Sequence, residues 1–145
     1  DSLLSATMLG SLIAFFYYNK YPAKIFSGDV GSLTVGAAIA AIAIMGRLEI
    51  ITIIAMMPHI MNGFHSLASI GGLLERRQIK ARPTKVLTDG RLAASKDPKA
   101  PITLARLVLA GGPLHEDEVV KIFILLSIYS GILAILTALL IAWGL

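Results

Sequence analysis

Hydrophobic residues in this chain form four long runs that contain no Asp, Glu, Lys or Arg. The runs are Ser2–Asn19, Val30–Gly46, Ile50–Leu74 and Ile122–Leu145, with lengths of 18, 17, 25 and 24 residues. A helix needs about 20 apolar residues to cross a bilayer, within a range of about 17 to 25. Because a helix of a soluble bundle would show a polar stripe, the four runs predict membrane spans.

We therefore predict an all-α, polytopic membrane protein with four transmembrane helices. The expected spans are about 3–18, 31–46, 50–70 and 119–144, joined by loops that include 19–30 and 71–118. Pro58 should kink the third span. The polar residues that follow it, His59, Asn62 and His65, should face other helices or a wet cavity, since they are costly against lipid.

The long loop 71–118 contains two short predicted elements. Asp89-Gly90 lies inside the stretch Thr84–Ala93, and this pattern is typical of a β-hairpin built around an Asp-Gly turn. The stretch Pro101–Ala110 is mostly apolar with one Arg, which predicts a short helix in the membrane interface.

The distribution of charge orients the chain. Only 15% of the residues are charged, and the formal net charge is +4. With four spans, every Lys and Arg except Arg47 falls on the side of the two longer loops. The positive-inside rule places that side in the cytoplasm. Nucleic-acid binding is disfavoured because no aromatic residues are interleaved with the basic ones.

Asp29 is the first candidate for chemistry, because it is a lone carboxylate at the start of the second span. An Asp at this place can cap the helix, accepting backbone N–H bonds at the positive end of the dipole. It can equally bind Mg²⁺, which at phosphate sites is usually held by one or two carboxylates. The spacing leaves both interpretations open.

The basic loop supplies the other candidates. The run contains Arg76, Arg77, Lys80 and Arg82. It can clamp a diphosphate through bidentate Arg contacts, or it can be the ordinary basic flank of a span, attracted to anionic lipid head groups. His115 precedes the last span at the same interface, and its role is left open.

A family resemblance adds to these observations. The run Tyr18-Asn19-Lys20-Tyr21-Pro22-Ala23-Lys24-Ile25-Phe26-Ser27-Gly28-Asp29-Val30-Gly31-Ser32-Leu33 resembles the signature of the polyprenyl-phosphate sugar-1-phosphate transferases, which are of the glycosyltransferase family 4 type. Pro58, Asn62, Ser66-Leu67 and the segment Leu107–Glu116, which ends in Gly112-Pro113-Leu114-His115-Glu116, resemble the archaeal and eukaryotic branch, the UDP-GlcNAc–dolichyl-phosphate GlcNAc-1-phosphotransferases.

The chain departs from the family pattern in its loop. The triple-His motif of the bacterial peptidoglycan branch is not present. Where the eukaryotic enzymes carry an Arg-His-Arg grouping, this chain has Arg76-Arg77-Gln78-Ile79-Lys80-Ala81-Arg82. The positions that would bind phosphate are therefore not fixed by the resemblance.

The resemblance implies a reaction and a site. The expected activity transfers a sugar-1-phosphate, GlcNAc-1-phosphate in this branch, from a UDP-sugar to a polyprenyl or dolichyl phosphate, with release of UMP. Asp29 would be the catalytic, Mg²⁺-binding (or Mn²⁺-binding) carboxylate, and Phe26 would lie against the uridine. The remaining substrate-binding residues would be Asn19, Gly28, Arg76, Arg77, Lys80, Arg82 and His115.

The resemblance also implies a location and partners. The first step of lipid-linked glycan assembly takes place at the cytoplasmic face of the archaeal cell membrane or of the endoplasmic reticulum membrane. The expected partners are a UDP-sugar, the lipid phosphate and membrane lipids, and homodimerisation is left open. Because the family has about ten spans and an acidic cluster in its first half, we expect this chain to be the C-terminal part and to be inactive alone. The alternative is a non-catalytic membrane module, a transporter or scaffold piece with a lipid-binding basic loop.

Overall fold

The computed structural model describes residues 2–71, 79 and 81–144. The chain divides into two compact units, Asp1–Thr52 and Ile53–Leu145. Helices follow one another along most of the chain, and the two short strands form a single antiparallel pair.

The first unit consists of α1 (Ser2–Asn19), α2 (Gly28–Gly46) and the beginning of α3 (Glu49–Ala55). A left-handed residue, Arg47, with a φ of 53°, ends α2. The next residue, Leu48, donates its backbone N–H to the carbonyl of Ala43 at 2.8 Å, which satisfies a carbonyl that the helix end would leave free. Arg47 and Leu48 thus form a tight turn between α2 and α3.

The second unit contains the end of α3, the remaining helices and the hairpin. Its elements are α4 (Met57–Ile70), β1 (Thr84–Val86), β2 (Leu92–Ala94), α5 (Leu104–Val108), a 3₁₀ turn (Leu109–Gly111) and α6 (Glu116–Ala142). The short helix α5 contacts both α4 and α6. The loop therefore packs on the helices instead of standing free of them.

The third predicted span is broken. The helices α3 and α4 meet at Met56 with a bend of 70°. Pro58 lies in the first turn of α4, where its missing N–H does no harm. The Oγ of Ser130 on α6 donates to the carbonyl of Ala55 at 3.1 Å, so the last carbonyl of α3 has a partner. The predicted kink is confirmed, and it is sharp enough to divide the helix in two.

The hairpin prediction is also confirmed. The strands pair with Thr84 opposite Ala94 and Val86 opposite Leu92. Gly90 has a φ of 82°, which favours glycine in the connecting turn. A further bridge joins Leu92 to Leu114, with N···O distances of 2.8 and 3.0 Å, and ties the hairpin to the segment before α6.

The predicted helix Pro101–Ala110 is shorter in the structure, because Thr103 is its N-cap. The Oγ1 of Thr103 accepts the backbone N–H of Arg106 at 3.2 Å, and α5 begins at Leu104. The 3₁₀ turn continues the helix to Gly111. The preceding residues of the predicted helix run extended onto α4.

Most large apolar side chains of the long helices are exposed. On α6, Leu125 and Tyr129 are each 64% exposed and Ile135 is 63% exposed. The buried residues are small, and within α6 they are Val119, Ser130 and Ala134. Apolar surface of this extent is incompatible with water and is expected where lipid or further helices cover it.

Fewer helices are long and apolar enough to be membrane spans than the sequence predicted. Among the described residues, Gly28–Gly46 and Glu116–Ala142 are long and apolar enough to cross a membrane, and the bent pair of α3 and α4 makes a third if it is one span. The helix α1 covers the first predicted span, but its Ser, Thr, Tyr and Asn residues lower its mean hydropathy. The count of four therefore stays a prediction.

Candidate functional site

The loop between α1 and α2 is closed by Asn19. The side-chain amide of Asn19 donates to the carbonyl of Ile25 at 2.7 Å, and the backbone N–H of Lys24 donates to the carbonyl of Tyr18 at 2.9 Å. These two bonds fold the segment 20–27 back onto the end of α1. Asn19, predicted to bind substrate, holds its own loop in shape in this structure.

The start of α2 places Asp29 in the first helical turn. The N-cap position belongs to Ser27, and Gly28 adopts a φ of 58° before the helix proceeds. The N-cap interpretation of Asp29 is therefore wrong, because Asp29 lies two residues beyond that position. Its carboxylate is exposed and has no hydrogen-bond or ion-pair partner within the described part of the first unit. The negative charge of the carboxylate suits the positive end of the helix dipole, and without a partner its oxygens are free to accept a cation or a donor from a ligand.

Phe26 precedes Asp29 by three residues and is 80% exposed. Lys20, on the same loop, places its ammonium 5.3 Å from the ring centroid of Tyr17. The loop thus presents an aromatic ring, an ammonium group and a carboxylate within ten residues. These are the groups that stack on a base and bind phosphate or metal.

Arg82 and His115 belong to the second unit. Arg82 is exposed just before the hairpin, beside Pro83, whose carbonyl accepts the N–H of Ser95 at 2.9 Å. His115 is exposed at the N-cap position of α6, and its backbone N–H donates to Oε2 of Glu118 at 2.8 Å. The predicted residues Arg76, Arg77 and Lys80 lie outside the described residues.

Several cations of the loop already have partners. Arg91 pairs with Asp89 at 2.7 Å, and this hydrogen bond holds the pKa of Asp89 below its ordinary value. The guanidinium of Arg106 donates to the backbone carbonyls of Ala100 and Asp97. Arg106 therefore braces the loop. Among the described residues of the second unit, the loop cations whose side chains have neither an acidic nor a carbonyl partner are Arg82, Lys85, Lys96 and Lys99.

A groove of about 470 Å³ lies in the second unit between α4, α5 and α6. Its lining residues include Pro58, His59, Asn62, Thr103, Phe123 and Ser127. Asn62 was expected to face another helix or a wet cavity; it lines this groove, and its Oδ1 accepts the backbone N–H of Leu104 at 2.7 Å, so it contacts the loop. Among the described residues, no group of three or more His, Asp or Glu side chains is placed to hold a metal.

Two contacting residues were not singled out in the sequence. The Oγ of Ser69 accepts the backbone N–H of Ile102 at 2.8 Å, and the Oγ of Ser130 donates to the carbonyl of Ala55 at the helix break. A lone Ser in an apolar run gives no signal of its partner, because both partners are more than 30 residues away. Thr103 did carry a signal, since a Thr directly before an apolar run is a typical N-cap.

Helices of this length and hydropathy define the class of the chain, which is an integral membrane protein. Comparison with known proteins narrows the class. Residues 2–47 match the family Glycosyl transferase family 4. This stretch contains the whole of the loop with Asn19, Phe26, Gly28 and Asp29. The family resemblance is thereby supported over the first third of the chain.

The chain is also similar to curated proteins. A protein of Methanocaldococcus jannaschii named as a glycosyltransferase is 35% identical over 137 residues, which is 94% of this chain and 42% of that protein. The phospho-N-acetylmuramoyl-pentapeptide-transferase of Halalkalibacterium halodurans is 51% identical over 53 residues, or 37% of this chain and 16% of that enzyme. The enzyme of the same name from Nitratiruptor sp. is 36% identical over 77 residues, or 53% of this chain and 22% of the enzyme.

The chain thus spans less than half the length of each of these relatives. No solved structure matches it. The family match and the names of the relatives agree with the family resemblance, and the apolar helices agree with a membrane location.

Proposed function

We propose that the full-length protein containing this chain transfers a sugar-1-phosphate from a UDP-sugar to a polyprenyl phosphate and releases UMP. The single observation that carries the proposal is the free, exposed carboxylate of Asp29 at the start of α2, inside the stretch that matches the transferase family. The names of the relatives support transfer of a sugar or sugar phosphate in general.

The residues at this site fit a divalent cation. Mg²⁺ at phosphate sites is held by one or two carboxylates, while substrate phosphates and water complete its shell. Asp29 offers one such carboxylate with no competing partner in the described part of its unit. When bound, Mg²⁺ would neutralise charge on the pyrophosphate of the donor. A second carboxylate would come from the acidic cluster expected in the other part of the protein.

The reaction brings two anions together, and residues of this chain would reduce the repulsion between them. An oxygen of the lipid phosphate attacks the β-phosphorus of the UDP-sugar, the bond from that phosphorus to the bridging oxygen breaks, and the oxygen leaves with UMP. Little covalent help is needed, so positioning and charge neutralisation dominate. The exposed guanidinium of Arg82, with the basic residues that precede it in sequence, would neutralise the diphosphate, while Phe26 would lie against the uracil ring.

The archaeal and eukaryotic GlcNAc branch is the finer part of the proposal. The similarity to the Methanocaldococcus jannaschii protein runs over 137 residues and so includes the loop, whereas that to the two bacterial enzymes covers 53 and 77 residues. This difference supports a loop of the archaeal type. On the resemblance of Pro58, Asn62 and Ser66-Leu67 to that branch, the proposed donor is UDP-GlcNAc, the proposed acceptor is dolichyl or another polyprenyl phosphate, and the proposed site of action is the cytoplasmic face.

The test is a UMP-release assay of the full-length protein with a panel of UDP-sugars, with and without Mg²⁺. We expect Asp29→Asn to lower turnover by at least about 10²-fold, because the isosteric amide removes the charge that holds the cation. The control is Asp89→Asn, which removes a loop carboxylate paired with Arg91 and should stay near wild type.

Two outcomes would contradict the proposal. Near-normal turnover of Asp29→Asn with intact expression refutes the metal role. Absence of UMP release with every UDP-sugar refutes the transferase itself and favours the non-catalytic membrane module. In that case Asp29→Asn should also leave lipid binding unchanged, which vesicle co-sedimentation measures.

A further inference from the structure

Two side chains of α4 hold the loop segment Ile102–Leu104. Oδ1 of Asn62 accepts the backbone N–H of Leu104 at 2.7 Å, in a partly buried bond across 42 residues of sequence. Oγ of Ser69 accepts the backbone N–H of Ile102 at 2.8 Å, across 33 residues. Ile102 bonds to the later residue of α4, and Leu104 bonds to the earlier one. The segment therefore runs antiparallel to α4, and we call these two bonds the ladder.

The spacing and polarity of these bonds fix the segment in one register. Asn62 and Ser69 are seven residues apart, which puts them on one face of α4 at about 10 Å separation along its axis. The hydroxyl of Ser69 donates its hydrogen to the carbonyl of Ser66 at 2.9 Å. Its oxygen can therefore only accept a hydrogen bond from Ile102. Each acceptor therefore meets one particular backbone N–H.

The loop on either side of this segment is braced internally. Arg106 donates to the carbonyls of Ala100 and Asp97, and Oδ1 of Asp97 accepts the N–H of Lys99 at 2.9 Å. Thr103 caps α5. Because the segment 97–106 is tied together, a shift at Ile102 or Leu104 is passed to its neighbours instead of being absorbed locally.

We propose that Asn62 and Ser69 are positioning residues: they hold the segment Ile102–Leu104 on α4 and thereby place the cations of the loop for the donor diphosphate. The catalytic consequence rests on the proposed transferase function. Neither residue needs to touch a substrate. Asn62 also has an amide NH₂ group without a partner among the described residues, but the ladder uses only its oxygen.

The kinetic test compares variants of the full-length protein that keep or remove the acceptor. Asn62→Leu removes the acceptor and should raise the KM for the UDP-sugar by about tenfold with kcat within about twofold, since the loss is in donor placement. Asn62→Asp keeps an acceptor oxygen and should restore most of the wild-type KM. Ser69→Ala and Ser69→Thr form a second pair with the same logic. The control Thr137→Ala removes a hydroxyl bonded only within α6, to Leu133.

Hydrogen exchange of the same proteins supplies a readout independent of activity. Asn62→Leu should speed exchange of the Leu104 amide and its neighbours, while Thr137→Ala should not. Faster exchange with an unchanged KM overturns the positioning role and leaves the transferase proposal standing. Unchanged exchange overturns the ladder itself. Absence of UMP release from the wild type removes the proposed function, and the positioning role falls with it.

Discussion

At the scale of single residues, Gly31 is the glycine of α2 at which an added Cβ would make the closest contact. A Cβ built on Gly31 would lie 2.8 Å from the Cβ of Ser27, closer than real Cβ contacts. The Ser27 atom is fixed to the backbone and cannot rotate away. The tight approach belongs to the turn that starts α2 and sets the position of Asp29, two residues before Gly31.

We predict that Gly31→Ala destabilises the protein by about 1–2 kcal/mol, because overpacking outweighs the gain in helix propensity. The matched control is Gly36→Ala in the same helix, where a Cβ would meet nothing within 4 Å. That substitution should be neutral or stabilising by up to about 1 kcal/mol. Thermal unfolding of both variants in detergent checks the difference, and equal effects would contradict it.

The sequence was informative about this site and silent about its internal bonds. The motif around Asp29 indicated the candidate residues of this loop, because the family resemblance rests on it. That Asn19 would bond to Ile25 could not be predicted, since the contact depends on the path of the backbone through the loop. The N-cap position of Ser27 was missed because Asp29, an equally favoured capping residue, follows two residues later.

At the scale of elements, the break between α3 and α4 needs help from α6. His59 donates its N–H to Met56, so the carbonyl of Ala55 lacks its usual helical partner. The hydroxyl of Ser130, 4% exposed, lies 3.1 Å from that carbonyl and 3.1 Å from the carbonyl of Ser127 in its own helix, so its single hydrogen is shared between the two. An unsatisfied carbonyl in an apolar surrounding is costly, and this contact stabilises the bend.

We predict that Ser130→Ala destabilises the protein by about 1–2 kcal/mol, because it leaves the carbonyl of Ala55 without a donor. Ser127→Ala is the control on the same helix, since that hydroxyl bonds only to Phe123, at 2.9 Å, within α6. Its effect should be below about 0.5 kcal/mol. Chemical or thermal unfolding in detergent measures both, and a Ser127 effect as large as that of Ser130 would contradict the assignment.

Local signals predicted the elements better than the contacts between them. Pro58 indicated the kink and Asp89-Gly90 indicated the hairpin, because a few adjacent residues determine both features. The helix α5 was placed too early since its apolar pattern begins before its cap at Thr103. The contacts of Ser69 and Ser130 join residues 33 and 75 positions apart, and no local pattern encodes such pairs.

At the scale of the whole molecule, the distribution of charge makes a prediction about topology. With four spans, the positive-inside rule predicts that the loop of Lys24 and the hairpin turn at Thr88 share the cytoplasmic side and that Arg47 lies opposite. If the bent pair of α3 and α4 returns to its starting side, Thr88 would instead share a side with Arg47. The two arrangements therefore differ in the side of the membrane on which Thr88 lies.

Cysteine labelling separates them, because this chain has no cysteine of its own. In a full-length protein without other cysteines, we expect Lys24→Cys and Thr88→Cys to react with a membrane-impermeant maleimide from the cytoplasmic side. Arg47→Cys should react from the opposite side. Labelling of Thr88→Cys and Arg47→Cys from the same side would show that the bent pair does not cross.

The contact between Ser130 and Ala55 also constrains biogenesis. The two residues are 75 positions apart, which at roughly 5–20 residues per second is about 4 to 15 seconds of translation. During that interval the newly made helix break has no hydroxyl from α6, so a water molecule or the insertion machinery must shield its carbonyl. The contact at the break therefore forms only after α6 has left the ribosome.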